Sequence, residues 1–462
     1  MSGLAEILLG MGYEVTGSDL KRSEITDRLV ELGATFNEGH DPKHVAGAGI
    51  VVYTAAASED NCELVAAREQ GIPTIPRPRL LADLMRLKPD AIAVGGTHGK
   101  TTTASMISAM FENADVESTS IVGGIINRKG STVAWGNGNL LVAETDEHDG
   151  SFLRLNPTVS VVTSIDAEHL EYYGTLDAIK RSFVDFINKI PFYGFSVVCI
   201  DDPNVRDILP QIDSTCLTYA IDREADVTAK NVRLDVPNDG ENKLERIADV
   251  RTVFDVHCSC AALCADDNVG TISIHAIGDH NVRNALAAVT VGLALGLDFE
   301  QIRDGLHSYR GVRRRLQLKA VRDSIAVVED YAHHPTEIES TLRAVRLLEP
   351  ARIIAVFQPH LYSRTKFFCA DFGRSLLFAD KVVVTEIYGA REEPMPGVSA
   401  MDIVAAAQDA GHQDAVYIAD QNEVKGLLGP GLRSGDVVIF LGAGDIYKAS
   451  DEMAELLSQR ET

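Results

Sequence analysis

The sequence predicts an α/β protein made of several doubly wound units. Three observations predict it. Strand-like and helix-like patterns alternate along the whole chain, the mark of parallel sheets covered by helices. The runs at 91–94, 141–143 and 353–357 are short and apolar at every position, as strands buried on both faces require. The length, 462 residues, exceeds what one hydrophobic core serves.

Residues 4–11 read as a helix, 13–17 as a short strand, 25–32 as a helix, 50–53 as a buried strand and 63–70 as a helix. Pro73, Pro76 and Pro78 mark a connection, and 80–86 reads as a helix. The break Lys88-Pro89-Asp90 closes a first domain, 1–88. A second, 89–311, opens with the strand 91–94, a glycine loop and a helix from Thr101. Further strands are predicted at 140–144, 159–165 and 196–200, an antiparallel β excursion at 226–276, and an Ala-rich helix at 281–295. The third domain, 312–462, repeats the pattern, with strands at 325–329, 353–357, 381–385 and 436–441 and helices at 337–348 and 371–378.

Composition excludes several classes. A formal net charge of −24 argues against a nucleic-acid partner, which needs a basic face. It leaves a nucleotide open, because backbone N–H groups and a few local cations can hold phosphate. No apolar run reaches ~18 residues, so no membrane insertion is predicted. Seven cysteines, an odd number with no secretion signal, suggest reduced thiols in a cytoplasm. His257, Cys258, Cys260 and Cys264 cluster, but their spacing fits no usual zinc pattern and the segment alternates like a strand.

The chemistry starts at Val94-Gly95-Gly96-Thr97-His98-Gly99-Lys100-Thr101-Thr102. A strand precedes this run and a helix follows, the context a phosphate-binding loop needs. Glycines let the backbone wrap an anion, and the helix N-terminus adds partial positive charge. Lys100 can reach β- and γ-phosphates, and the Thr101 hydroxyl can ligate Mg²⁺. Val94 stands where the strict pattern has glycine, so the match is to the shorter G-T-x-G-K-T form. ATP with Mg²⁺ is the predicted ligand. Glu144 ends an apolar strand and begins the acidic run Glu144, Asp146, Glu147, Asp149; His169 follows the next apolar strand. Both are metal-ligand candidates, at the strand ends where α/β sheets place their sites.

These motifs together resemble the Mur ligase family, the cytoplasmic amino-acid-adding enzymes of peptidoglycan synthesis. The segment 278–285 looks like the family's H-N-x-x-N-A, and 311–315 like its domain-boundary arginine. The runs 329–337, 357–360 with 363–365, 387–392 and 442–446 are similar to motifs of the alanine-adding branch. The resemblance implies three domains: a Rossmann-like UDP-binding domain, a central P-loop ATPase domain and a C-terminal Rossmann-like, amino-acid-binding domain. It implies a ligase that uses ATP to join L-alanine to the carboxylate of UDP-N-acetylmuramate through an acyl phosphate. By position, Gly96 to Thr102, Asn281, Asn284, Arg315 and Asp330 would bind ATP. Thr101, Glu144 and His169 would hold metal. Lys100, His333 and Arg364 would be catalytic, the last two positioning the amino acid.

Two departures qualify this. Leu361 stands where the branch has an arginine, leaving Arg364, with Lys366 nearby, for the amino-acid carboxylate. Relatives begin with a strand and a glycine-rich loop before Met-Ser-Gly, whereas this sequence begins at Met1-Ser2-Gly3. The first strand and the loop for the UDP diphosphate are therefore expected to be missing, with a sheet position unfilled, and upstream residues are expected to improve solubility and UDP-sugar affinity. Two alternatives stay open: a related ligase for a murein peptide or another amino acid on the same UDP-sugar, and a nucleotide-binding regulatory protein without ligase activity.

Overall fold

A computed structural model describes residues 1–54, 56–126, 131–236, 244 and 247–459. The chain divides into two compact units. One is Met1–Lys230 with Asp255–Ile272 and Arg283–Tyr309; the other is Asn231–Phe254 with Ser273–Val282 and Arg310–Thr462.

The first unit begins α1 (Ser2–Gly10), β1 (Thr16–Asp19), α2 (Glu24–Glu31), β2 (Thr35–Glu38), β3 (Val51–Tyr53), α3 (Cys62–Glu69), β4 (Thr74–Pro76) and α4 (Arg77–Met85). β1 pairs with β2 and β3 with β4, both parallel, as two separate two-stranded sheets. The first strand lies at 16–19, not 13–17. Gly12 takes a left-handed turn and the Tyr13 N–H returns to the Leu8 carbonyl, so Tyr13 finishes the helix instead of starting the strand.

There follow β5 (Asp90–Gly95), α5 (Lys100–Asn113), β6 (Ser118–Ile126), β7 (Ser131–Ala134), β8 (Leu140–Glu144), β9 (Val159–Val162), α6 (Leu170–Tyr173), α7 (Leu176–Ile187), β10 (Phe195–Cys199), α8 (Pro203–Ile208), β11 (Cys216–Ala220) and β12 (Val227–Asp235). The polar stretch at 226–276 supplies β12, β13 (Arg251–Cys258) and β14 (Asn268–Ile274). β5 lies at the centre of the large sheet, parallel to β8 on one side and β9 on the other. Ile92, Ala93 and Val94 are fully buried, which is why this strand carries no polar alternation. Both neighbours of β5 come later in the chain, so strand order reverses here, the position where α/β sheets bind ligands at the carboxyl ends of their strands.

Helices α9 (Asp279–Ala294) and α10 (Phe299–Ser308) follow. α10 comes into near-backbone contact with α5: a Cβ on Gly305 would lie 2.5 Å from the Met110 Cα. That contact fixes the helix that begins at the glycine loop.

The second unit contains β15 (Gln317–Arg322), β16 (Ile325–Asp330), α11 (Pro335–Arg346), β17 (Arg352–Phe357), α12 (Tyr362–Ser375), β18 (Lys381–Thr385), β19 (Ala415–Ile418) and β20 (Asp436–Leu441). Its sheet runs β15-β16-β20-β17-β18-β19, parallel except for β15. The helix expected at 371–378 starts at Tyr362 and bends at Phe368, whose φ is −112°. Its front half buries Arg364 and Thr365, so no regular apolar stripe marks it and periodicity missed it. β16, β17 and β20 are neighbours and end together, which gathers Asp330, Gln358 and Gly442 at one edge.

Candidate active site

The glycine loop is shaped by close backbone approach. Gly96 has φ +121° and Gly99 φ +83°, conformations disfavoured for residues with a Cβ. A Cβ on Gly96 would sit 2.2 Å from Thr163 Oγ1, and one on Gly99 2.4 Å from Asn284 Oδ1. The segment after β9 holds the loop from the far side. Thr97 N–H donates to the Ser164 carbonyl at 2.9 Å, and His98 N–H to Ser164 Oγ at 2.9 Å. Asp166 N–H donates to Thr97 Oγ1 at 2.9 Å, and the His98 ring meets Asp166 at 3.2 Å.

Lys100 and Thr101 open α5. Lys100 Nζ donates to the Gly96 carbonyl (2.6 Å), the Thr97 carbonyl (3.0 Å) and both oxygens of Glu147 (3.0 Å each). Burial alone would lower the lysine pKa, but Glu147, Asp146 and Glu144 outweigh it and raise it, so Lys100 stays cationic. Glu147 is buried, and that burial outweighs the Lys100 charge and lifts its carboxyl to about 7. Asp146 moves the other way: burial opposes its ionisation, yet Lys100 and the His148 N–H hold it below the usual carboxylate range. Thr102, buried, completes the first turn of α5.

Glu144 leaves the end of β8 and accepts a hydrogen bond from Thr101 Oγ1 at 2.8 Å. Its other oxygen accepts the Gly123 N–H, where a Cβ would come within 2.6 Å of the carboxylate. A 2.8 Å separation is near the ~3 Å edge of an octahedral magnesium shell with ~2.1 Å bonds, so the hydroxyl and carboxylate fit that ion. His169 stands at the start of α6 in a left-handed conformation, φ +54°. Burial lowers its pKa below the usual histidine value, which favours the neutral, ligating imidazole. Asn284 accepts from Thr103 Oγ1 at 3.1 Å, directly behind the loop.

In the second unit Asn281 is buried and donates to the Ile277 carbonyl at 2.9 Å. Asp330 accepts from Leu316 N–H (2.6 Å) and Ala332 N–H (2.8 Å). Its burial, only partly offset by Arg315, raises its carboxyl to about 6. Arg315 lies over the Tyr331 ring and 3.7 Å from Glu337. The His333 ring faces the Tyr331 carbonyl at 2.8 Å and stands 6.0 Å from the His360 ring. Arg364, buried, approaches His360 Nδ1 at 3.1 Å. Leu361 precedes α12 with φ +71°.

So the first unit brings Gly96, Thr97, His98, Gly99, Lys100, Thr101, Glu144 and Asn284 together. Asp330, Arg315 and His333 gather around the carboxyl end of β16, and Arg364 with His360 after β17. Sequence reading missed Thr163, Ser164 and Asp166, which cradle the loop, and Gly123, which holds Glu144. The polar Thr163-Ser164-Ile165-Asp166 directly after an apolar strand was the available signal. The run 387–392 was singled out without a role for Glu392, which accepts from Ser363 N–H at 2.9 Å and caps the start of α12.

Comparison with known proteins gives consistent results along the chain. Residues 1–89 match the Mur ligase family, catalytic domain; 94–292 the Mur ligase middle domain; and 314–444 the Mur ligase, glutamate ligase domain. The UDP-N-acetylmuramate–L-alanine ligase of Desulfotalea psychrophila is 45% identical over 460 residues, 99% of this chain and 96% of that protein. Its counterpart in Syntrophotalea carbinolica is 44% identical, covering 100% of this chain and 96% of that protein. Among solved structures, a UDP-N-acetylmuramate-alanine ligase from Thermotoga maritima has a TM-score of 0.80 at 26% identity, over 98% of this chain and 96% of that one. A murein peptide ligase from Psychrobacter arcticus has the same fold, with a TM-score of 0.70 at 21% identity, over 100% of this chain and 97% of that one.

Proposed function

The chain belongs to the Mur ligase family, and we propose from that premise which residues carry its reaction. It is an ATP-dependent ligase that joins L-alanine to UDP-N-acetylmuramate in peptidoglycan precursor synthesis. One observation carries this reading: Thr101 ties a phosphate-binding loop to Glu144, in a chain whose relatives over its full length are L-alanine ligases for that sugar nucleotide. We read three domains: 1–88 for the UDP-sugar, 89–311 for ATP and 312–462 for the amino acid. No helix among the described residues is long and apolar enough to cross a membrane. We place the reaction in the cytoplasm.

The loop N–H groups from Gly96 to Thr102 receive the phosphates of ATP, and Lys100 turns from Glu147 to the γ-phosphate. Thr101, Glu144 and His169 would hold Mg²⁺, which supplies charge neutralisation at the phosphates. The muramate carboxylate attacks the γ-phosphorus, the bond to ADP breaks, and an acyl phosphate forms. Lys100 stabilises the charge that builds on the equatorial oxygens. The L-alanine amine then attacks the acyl carbon and phosphate leaves. Arg364 binds the amino-acid carboxylate, and His333 orients the amine or takes its proton. Asn281, Asn284, Arg315 and Asp330 hold the nucleotide.

Phosphate release with UDP-N-acetylmuramate and a panel of amino acids tests the reading. L-Alanine should be the preferred substrate, and Lys100→Ala should lower turnover by about 10³-fold or more, the scale of removing a principal charge stabiliser. Preference for a tripeptide would move the chain to the murein-peptide ligases. ATP binding without turnover on any acceptor would make it a regulatory protein.

A further inference from the structure

Two histidines and a glutamate converge beside the acidic run, and only His169 has been given a role so far. His148 lies in the loop after β8, His169 at the start of α6, and Glu171 in the first turn of α6. The two imidazoles meet edge-on, with centroids 4.6 Å apart and planes at 65°. Glu171 Oε1 is 3.9 Å from His148 Nε2 and 3.7 Å from His169 Nδ1. All three donor atoms lie within 4.8 Å of one another. A tetrahedral ion with ~2.1 Å bonds sets its ligand atoms about 3.4 Å apart. The two histidine–glutamate separations exceed that by a few tenths of an ångström, a side-chain adjustment for groups that are 29%, 17% and 50% exposed. The His148 N–H donates to Asp146 at 3.0 Å, which fixes the loop carrying the first imidazole.

We propose that His148, His169 and Glu171 form a second cation site, one that takes a divalent transition metal such as Zn²⁺, Co²⁺ or Mn²⁺. Donor chemistry separates it from the magnesium position. Thr101 and Glu144 offer hard oxygens, whereas two imidazoles and one carboxylate favour borderline metals over Mg²⁺. The oxygens of Glu144 are engaged by Thr101 and by Gly123 N–H, while His169 turns its Nδ1 towards Glu171. Under the ligand assignment proposed above, His169 is shared by the two positions. Three protein ligands leave an ion one or more open positions for water or a substrate oxygen. The site needs no nucleotide and does not depend on which amino acid is added.

The test is titration of the full-length, nucleotide-free protein with Co²⁺, followed by d–d absorption and by calorimetry. One Co²⁺ should bind with a spectrum lacking intense sulfur-to-metal charge transfer. His148→Ala and Glu171→Gln should each weaken binding at least about tenfold, the scale seen when metal-site partners are removed. His148→Asn, which keeps a polar side chain of similar reach, should do the same if the alanine variant folds poorly. Thr101→Ala should leave Co²⁺ affinity unchanged, and equimolar Mg²⁺ should not displace the ion. Unchanged binding in the His148 and Glu171 variants would overturn the site. So would a sulfur band, which would assign the ion to Cys258, Cys260 and Cys264, or ready displacement by Mg²⁺, which would assign it to the phosphate loop.

Discussion

Asp330 shows what burial does to a single carboxyl. It is 5% exposed and accepts one N–H on each oxygen, yet its pKa is raised to about 6 because desolvation outweighs Arg315 and those two donors. A carboxyl raised on folding contributes stability that is present below its unfolded value, near 3.8, and lost as pH rises through about 6. The shift corresponds to an order of magnitude of 2–3 kcal/mol, on the scale of ~1.4 kcal/mol per unit. Asp330→Asn removes the titration but offers one oxygen for two donors, so it should cost about 1 kcal/mol at low pH. The stability gap between wild type and Asp330→Asn should therefore shrink, or reverse, between about pH 5 and about pH 8. Thermal or urea unfolding of the nucleotide-free protein measures it; an equal gap at both values would show that burial does not govern this group.

At the scale of an element, α12 brings the amino-acid residues together. Glu392 caps its first turn through Ser363, and buried Arg364 sits one residue further in. Leu361, just before the helix, holds a positive-φ backbone that costs a residue with a Cβ about 1–3 kcal/mol. Arginine would bear the same backbone cost there, so Leu361→Arg should fold as well as wild type while adding a second guanidinium for the amino-acid carboxylate. KM for L-alanine should fall by roughly tenfold, the value of about one charge-assisted hydrogen bond, with kcat little changed. Steady-state kinetics with L-alanine varied decides it; an unchanged KM would show that Arg364 suffices.

The loop element invites a similar test. Gly99→Ala places a Cβ against Asn284 Oδ1 at a positive φ, so nucleotide affinity should drop by tenfold or more while Gly426→Ala, with open space around it, leaves it unchanged. Fluorescent-ATP titration compares the two. These elements also show what a sequence reveals. The glycine loop was legible because its signal is local: strand, glycines, lysine and helix lie within a dozen residues. Glu144 and His169 were legible because polar groups directly after apolar strands fall at the sheet's carboxyl edge. The clamp on the loop by Thr163 and Ser164 and the seat of Glu144 on Gly123 were not, because each depends on which strands become neighbours. The front of α12 was hidden for a different reason: it is held by capping and buried polar groups, which leave no apolar period.

At the scale of the whole molecule, stability is distributed unevenly. The large sheet of the first unit and the sheet of the second have central strands buried at nearly every position, such as Ile92 to Val94 and Val437 to Leu441. Helices α1 and α4 share the core of the large sheet through Leu4, Ile7, Leu81, Leu84 and Met85. Among its described residues, the segment between them adds no fully buried side chain to that core. Its own buried cluster is Val45, Ala66 and Ala67, with Val51 and Ile72 packed at the edge. Its four strands form two separate pairs, and two-stranded sheets have little stability alone. Leu20, Ile25 and Ile50 stay 70%, 47% and 48% exposed. Local opening should therefore be far less costly there than in the two main sheets. Amides of β1 to β4 should exchange with solvent orders of magnitude faster than those of β5, β8, β17 and β20. If residues 1–88 hold the UDP-sugar, adding UDP-N-acetylmuramate should slow exchange in this segment more than anywhere else, because a ligand stabilises most what it must first order. Hydrogen-exchange mass spectrometry with and without the sugar nucleotide measures both effects. Equal protection across all strands would refute the uneven distribution, and slowing confined to the large sheet would move the UDP-sugar away from this domain.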